Sequence, residues 1–303
     1  MKAFIKKVIK YTALTAAVAA LSLSAIAGCS SEPEKKPSEP EDMGVVVEPP
    51  KAGTPADYSA LENIEFMKGK LAARAYYHVD STSNVTATAG VKQKVEGTKD
   101  YLDGILITET ISYGAKIFII ETPSKAMQRY FGETEVFVRD PASDDHSKWN
   151  LDMEWSNAAP GEGSVLSYEE YEEDYGLPAD ELSDFVISDE TIDTAEELVK
   201  EGDNYVLTLT LDNEKAPAYY VRQMKTMGDL KDFPKFKSIR LTITFDAEWA
   251  VLSIKTEEEY TSQKGIITAN CSGGSTITYS YDRADVDISA YESYFKQYET
   301  KAE

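Results

Sequence analysis

Apolar and polar residues alternate with a period of two along much of the second half of the chain. Tyr205, Leu207, Leu209 and Leu211 stand on one side of a run whose other side carries Val206, Thr208 and Thr210. Ile239, Leu241, Ile243 and Phe245 repeat the pattern against Arg240, Thr242 and Thr244. Because a period of two sends successive side chains to opposite faces of a strand, each run demands a sheet with one buried face. Asp246-Ala247-Glu248 makes a short turn that leads back through Trp249 to Tyr260. Strands near Gly265 to Cys271 and Thr276 to Tyr281 complete a meander, with Gly273-Gly274 read as a tight turn between them.

The first half obeys the same rule. Leu71, Ala73, Ala75, Tyr77 and Val79 alternate with Ala72, Arg74, Tyr76 and His78, which predicts a strand with one apolar face. Further strands are predicted at Val91–Gly97, Tyr101–Thr108, Lys116–Glu121 and Glu135–Val138, at the spacing of an antiparallel meander. Between the two halves, the polar, turn-rich stretch 140–163 reads as a surface loop. Ser167 with Glu170 predicts a capping box over a helix from Tyr168 to Tyr175, stopped by Gly176. Pro178 opens a second short helix through Phe185. A third helix, Ala218 to Met227, places Tyr219, Tyr220, Gln223, Met224 and Met227 on one face. The order meander, helical insert, helix and meander predicts an α+β chain, mostly antiparallel β, with helices covering the sheet.

The N-terminus has a different character. Lys2, Lys6, Lys7 and Lys10 precede an almost unbroken apolar stretch from Ala13 to Ala27, and Ile26-Ala27-Gly28-Cys29 has the pattern of a bacterial lipobox. A basic head, an apolar core and small residues before a cysteine predict a lipoprotein signal peptide over residues 1–28, with diacylglyceryl thioether formation at Cys29. From Ser30 to Asp57 the chain holds six of its twelve prolines and many charges, so residues 29–57 read as a lipidated cysteine and disordered tether, and 58–303 as a single β-rich domain. The predicted location is the extracytoplasmic face of the cell membrane, held by acylated Cys29.

Charge narrows the range of partners. After Cys29 there are 27 basic and 53 acidic residues, a formal charge of −26. Such a surface repels phosphate backbones and anionic headgroups, so nucleic-acid binding is not expected. Once Cys29 carries lipid, Cys271 has no disulfide partner within the chain, and its surroundings predict a buried apolar thiol.

No motif brings nucleophile, base and oxyanion donors together. There is no nucleophile elbow, HExxH, CxxC or glycine-rich phosphate loop, so the chain is read as non-enzymatic, with no cofactor and no metal. His78 faces away from Tyr77, where solvation is the default, and His146 lies in an acidic loop. Two acidic clusters, Asp140, Asp144, Asp145 and Asp152, and Asp282, Asp285 and Asp287, offer the oxygen ligands that calcium prefers, but neither has the alternation of an EF-hand loop.

The segment Lys68 to Tyr130 runs strand, Val91-Lys92-Gln93-Lys94-Val95-Glu96-Gly97, a strand entering Asp103-Gly104, Tyr113 to Ile120, then Pro123 to Tyr130. Gly202 to Leu211, a helix, and Ile239 to Tyr260 follow in the second half. This order resembles LolA/LppX-like lipoproteins, including those of Gram-positive bacteria, over about residues 60 to 290. The resemblance implies a strongly curved, unclosed half-barrel whose helices cover the concave face, with a hydrophobic cavity for an apolar or amphipathic ligand. Leu207, Leu209, Met224, Met227, Leu241 and Ile243 are the candidate cavity-lining residues, with ordinary core packing as the competing reading. The alternative function is an envelope interaction module that presents an acidic, Tyr-rich surface, such as Tyr168, Tyr171 and Tyr175, to a protein or to cell-wall glycan.

Overall fold

The two meanders become one sheet because their distant ends pair. The protein is described by a computed structural model covering residues 36–41, 44–117, 120–121, 125–132, 135–139, 165–176, 182–283 and 289. Its strands are β1 (Tyr76–Ala87), β2 (Val91–Leu102), β3 (Ile105–Ile117), β4 (Ile120–Glu121), β5 (Lys125–Phe131), β6 (Glu135–Arg139), β7 (Val165–Ser167), β8 (Ile192–Ala195), β9 (Val199–Glu201), β10 (Asn204–Leu211), β11 (Lys235–Asp246), β12 (Val251–Lys264) and β13 (Ile267–Ser280). They follow the order β7-β6-β5-β3-β2-β1-β13-β12-β11-β10-β8, with β4 beside β3 and β9 beside β10. Every pairing is antiparallel, and the curved sheet is not closed into a barrel. The expected α+β class with an open curved sheet is what the structure has.

Three α-helices are present among the described residues: α1 (Ala60–Ala72), α2 (Tyr168–Tyr175) and α3 (Tyr220–Gly228). None is long and apolar enough to cross a membrane. The predicted capping box at α2 forms, with Glu170 accepting from the Ser167 amide at 2.8 Å and Gly176 ending the helix at φ 79°. The predicted helix opening at Pro178 falls partly outside the described residues, and 182–185 form bends.

Besides the predicted strand Tyr101–Thr108, which is a hairpin that turns at Asp103 and Gly104 from β2 into β3, two expectations need correction. Leu71 and Ala72 end α1, and the strand begins only at Tyr76. Leu71, Ala73 and Ala75 satisfy a period of two, but Ile64, Met67 and Leu71 are three and four apart and are all buried, and Ser59 with Glu62 caps the helix start. The second concerns Gly273 and Gly274, which lie inside the long strand β13, while the turn to β12 is at Gly265 and Ile266. A Cβ at Gly274 would lie 2.0 Å from the Thr256 carbonyl oxygen and one at Gly273 would lie 2.3 Å from that of Asn84. These glycines therefore let the neighbouring backbones approach more closely than any side chain allows, at the middle of the sheet.

Helix α1 is fixed by polar contacts at its start. Asn63 Nδ2 donates to the carbonyls of Pro55, Tyr58 and Ser59, and Asn63 Oδ1 accepts from Trp249 Nε1 at 2.7 Å, which ties α1 to the β11–β12 turn. Tyr58, Phe66 and Trp249 pack edge to face around this link. The preceding segment lies on the domain: Glu39 pairs with Arg222 of α3, Pro40 is buried, and the Val47 carbonyl rests so close to Gly69 that a Cβ there would meet it at 1.9 Å.

The substitution Gly274→Ala is expected to lower stability by about 2–3 kcal/mol, because the new methyl drives β12 from β13. Urea denaturation measures this, and an unchanged midpoint would show that the strands can separate there at little cost.

Candidate functional site

Inward side chains form rows across the sheet, and the rows change character midway. Register places Leu207, Ile243, Ile254 and Ile277 in one row that continues as Ser81, Gly97 and Ile111. The next runs Leu209, Leu241, Thr256, Ser275, Ser83 and Val95. A third joins Tyr279 and Val79 to Lys99, Glu109 and Arg129. The inner face is thus apolar over β10 and β11 and mixes apolar with hydroxyl, glycine and charged positions from β12 to β5.

Where inward residues are small, space opens. A cavity of about 50 Å³ is floored by Ser81, Ser83, Gly97 and Ser275, and faced by Asp184 and by Tyr220 and Gln223 of α3, with Lys99 and Glu109 also on its wall. Leu207, Leu209, Leu241 and Ile243 are fully buried in the packed core. Met224 packs against that core, and the Met227 sulfur lies 3.9 Å from Arg129. None of the six sequence candidates borders the cavity, because large apolar side chains on β10 and β11 fill each other's space. Cys29 lies outside the described residues.

Charges of alternating sign run along the polar side. Asp184 lies 3.3 Å from Lys99 Nζ, Lys99 lies 3.8 Å from Glu109, and Glu109 lies 2.9 Å from Arg129 Nη1. Arg129 is wholly buried, donates to the Tyr171 hydroxyl at 2.7 Å, and sets its guanidinium 4.6 Å from the Tyr175 ring centre. Burial works against the charges of Lys99 and Arg129, but the flanking carboxylates outweigh it, and both cations are held above their ordinary pKa values. Burial pushes the Tyr171 phenol up, so it stays a neutral hydroxyl.

Tyr168, Tyr171 and Tyr175 consequently do not form an exposed patch. Tyr171 is 2% exposed and stacks on Tyr175, while the Tyr168 hydroxyl donates to the Gly132 carbonyl.

Glu258 of β12 is the interior carboxylate outside this chain. It is 4% exposed, faces Ile239 and Gly273 across the strands, and has no hydrogen-bond or ion-pair partner among the described residues. Burial first, and then the nearby Asp184 charge, push its carboxyl up to about 7. Cys271 is buried as expected, and burial raises its thiol pKa.

On the opposite face, His78 is not simply solvated. Its Nδ1 lies 2.6 Å from Asp100, which also accepts from the Thr108 hydroxyl at 2.7 Å, and its Nε2 lies 3.3 Å from Asp80. The hydrogen bond to Asp100 raises the imidazole pKa despite partial burial. The threonine hydroxyl donates to the carboxylate and not to the imidazole, so these groups do not form the nucleophile–base pair of an acyl-transfer site. His146 and the first acidic cluster lie outside the described residues, as do Asp285 and Asp287. Among the described residues no group of three His, Cys, Asp or Glu side chains is placed to hold a metal.

The substitution Arg129→Leu strands the Glu109 carboxylate and is expected to cost about 3–5 kcal/mol, whereas Arg129→Leu with Glu109→Leu should recover most of it. Urea denaturation of both variants decides whether the pair or the arginine alone matters. Glu258 has a folded pKa above its unfolded one, so its stabilising effect is complete below about pH 4.5 and is lost as pH rises through about 7, a change of about 3 kcal/mol. Glu258→Gln should therefore be more stable than the parent at pH 8 and lose this part of the pH dependence; equal melting profiles of the two proteins from pH 5 to pH 8 would refute it.

No family model and no curated protein matches the chain.

Proposed function

We propose that this chain is a LolA/LppX-like, membrane-anchored extracytoplasmic lipoprotein that binds an amphipathic ligand between its curved sheet and covering helices. The observation that carries this reading is the change along the inner face, apolar over β10 and β11 and mixed with hydroxyl and charged positions from β12 to β5, with a cavity in the mixed part under α3. An amphipathic molecule has the same change of character. The lipobox at Cys29 supports the location, since a lipid anchor keeps a binding domain at the membrane surface.

The cavity holds roughly three or four waters, whereas pockets for drug-sized ligands run from about 300 to 1,000 Å³. Ligand entry therefore requires α3 to move outward. Several of its ties are polar: Lys264 Nζ donates to the Gly228 carbonyl at 3.0 Å, Arg222 to that of Glu172 at 3.1 Å, and the Thr226 hydroxyl to that of Asp174 at 2.6 Å. Water can replace each of these as the helix lifts, so the net cost is far below their gross strength.

Residues 30–303, secreted behind an ordinary signal peptide and purified without detergent, should carry a stoichiometric amphipathic molecule detectable by mass spectrometry of an organic extract. A clean extract together with no binding of an apolar dye would overturn the ligand-binding reading.

A further inference from the structure

One buried carboxylate, Glu258, has no cation beside it. Along the inner face Glu109 is buried and Asp184 in the segment above keeps 36% of its side chain exposed, and these two stand against the buried Arg129 and the part-buried Lys99. Both cations are engaged: Arg129 by Glu109, and Lys99 by Asp184 and Glu109. Across the strands Glu258 meets Ile239 and Gly273, and the ionisable groups whose charges couple to it are Asp184, Tyr220 of α3, Tyr260 on its own strand and Cys271 on β13, none of them cationic. A carboxylate in such a place is costly, and two things relieve it: a proton or a cation from outside.

The surroundings suit a cation with an organic body. Phe236 lies 5.2 Å from Tyr260 and 6.1 Å from Tyr220, ring centre to ring centre, and Phe185 closes on Tyr220 at 5.3 Å. Aromatic faces beside a carboxylate attract alkylammonium groups through the ring quadrupole, and a desolvated site strengthens that attraction. Tyr220 and Asp184 also wall the cavity, which Glu258 itself does not line, so these two residues link the carboxylate to that space. The strongly acidic exterior raises the local concentration of cations at the entrance.

We propose that Glu258, with Asp184 nearby and the rings of Tyr220, Phe236 and Tyr260 around it, anchors an alkylammonium group, so that the protein selects cationic over anionic or neutral amphiphiles. This rests on the ligand-binding reading above and adds the charge of the ligand. Binding displaces the Glu258 proton into solvent, leaving a carboxylate–ammonium pair, and is therefore stronger above the carboxyl's pKa than below it.

The test is calorimetric titration of the full mature chain, held in nonionic detergent, with n-butylammonium, n-butanol and butyrate at pH 6 and pH 8. Butylammonium should bind in preference to the other two, with affinity rising about tenfold between the two pH values, the change in the ionised fraction of a group titrating near 7. Glu258→Gln should lose that preference and the pH dependence, while Glu259→Gln, on the exposed face, should keep both. A melting curve at pH 6 confirms that each variant is folded. Equal binding of the three probes would overturn the charge selection and leave the ligand reading standing. Failure of butylammonium to bind, or its unchanged binding to Glu258→Gln, would overturn the ammonium site whatever the organic extract contains.

Discussion

The β1–β13 ladder is the contact on which the rest of the structure depends. It joins residues nearly two hundred positions apart, from His78 opposite Ser280 to Ala87 opposite Cys271. Without it the chain would be two separate antiparallel meanders, each with an unpaired edge strand that exposes backbone donors and acceptors. With it the apolar rows of β10 and β11 run on into the hydroxyl and glycine positions of β12, β13, β1 and β2, and the cavity forms at that junction. Gly273 and Gly274 are part of the same device, because they let β13 lie against both neighbours at a separation no side chain permits.

The polar half of the interior holds together by a different principle. Burying ions is expensive, and the sheet offsets that cost by alternating their sign, Asp184, Lys99, Glu109 and then Arg129, with Tyr171 and Tyr175 completing the shell around the guanidinium. This arrangement also ties α2 to the sheet, since Tyr171 accepts from Arg129 and packs edge to face on Phe131. Glu258 is the exception to the alternation, since no cation stands beside it and burial holds its carboxyl in the neutral form at acid pH.

Part of this site was legible in the chain. In Ile254-Lys255-Thr256-Glu257-Glu258-Glu259-Tyr260, residues 254, 256 and 260 share a face, so Glu258 must share it too. A run of three glutamates nevertheless reads as solvated surface, and only the burial of Ile254 and Tyr260 on both sides shows otherwise. Lys99, Glu109 and Arg129 gave no such signal, since each is an ordinary charged residue in its own strand and becomes part of a chain only when β2, β3 and β5 pair in this register. The six apolar candidates failed as markers of the cavity for a related reason: inward-facing Leu and Ile identify the buried face, but they say nothing of whether that face is filled.

What the sequence by itself determined is the local part of the fold. Period-two alternation set most strands, the Ser167–Glu170 box set α2, and the order of these elements set the α+β class, because each element depends on residues a few positions apart. The long-range part was decided only in three dimensions. That Leu71 belongs to a helix, that Gly273 and Gly274 lie within a strand, that two meanders form one sheet, and that Lys99, Glu109 and Arg129 come together on it all follow from which distant backbones pair. Pairing partners are chosen by the total area the sheet and helices bury together, and no local pattern records that sum.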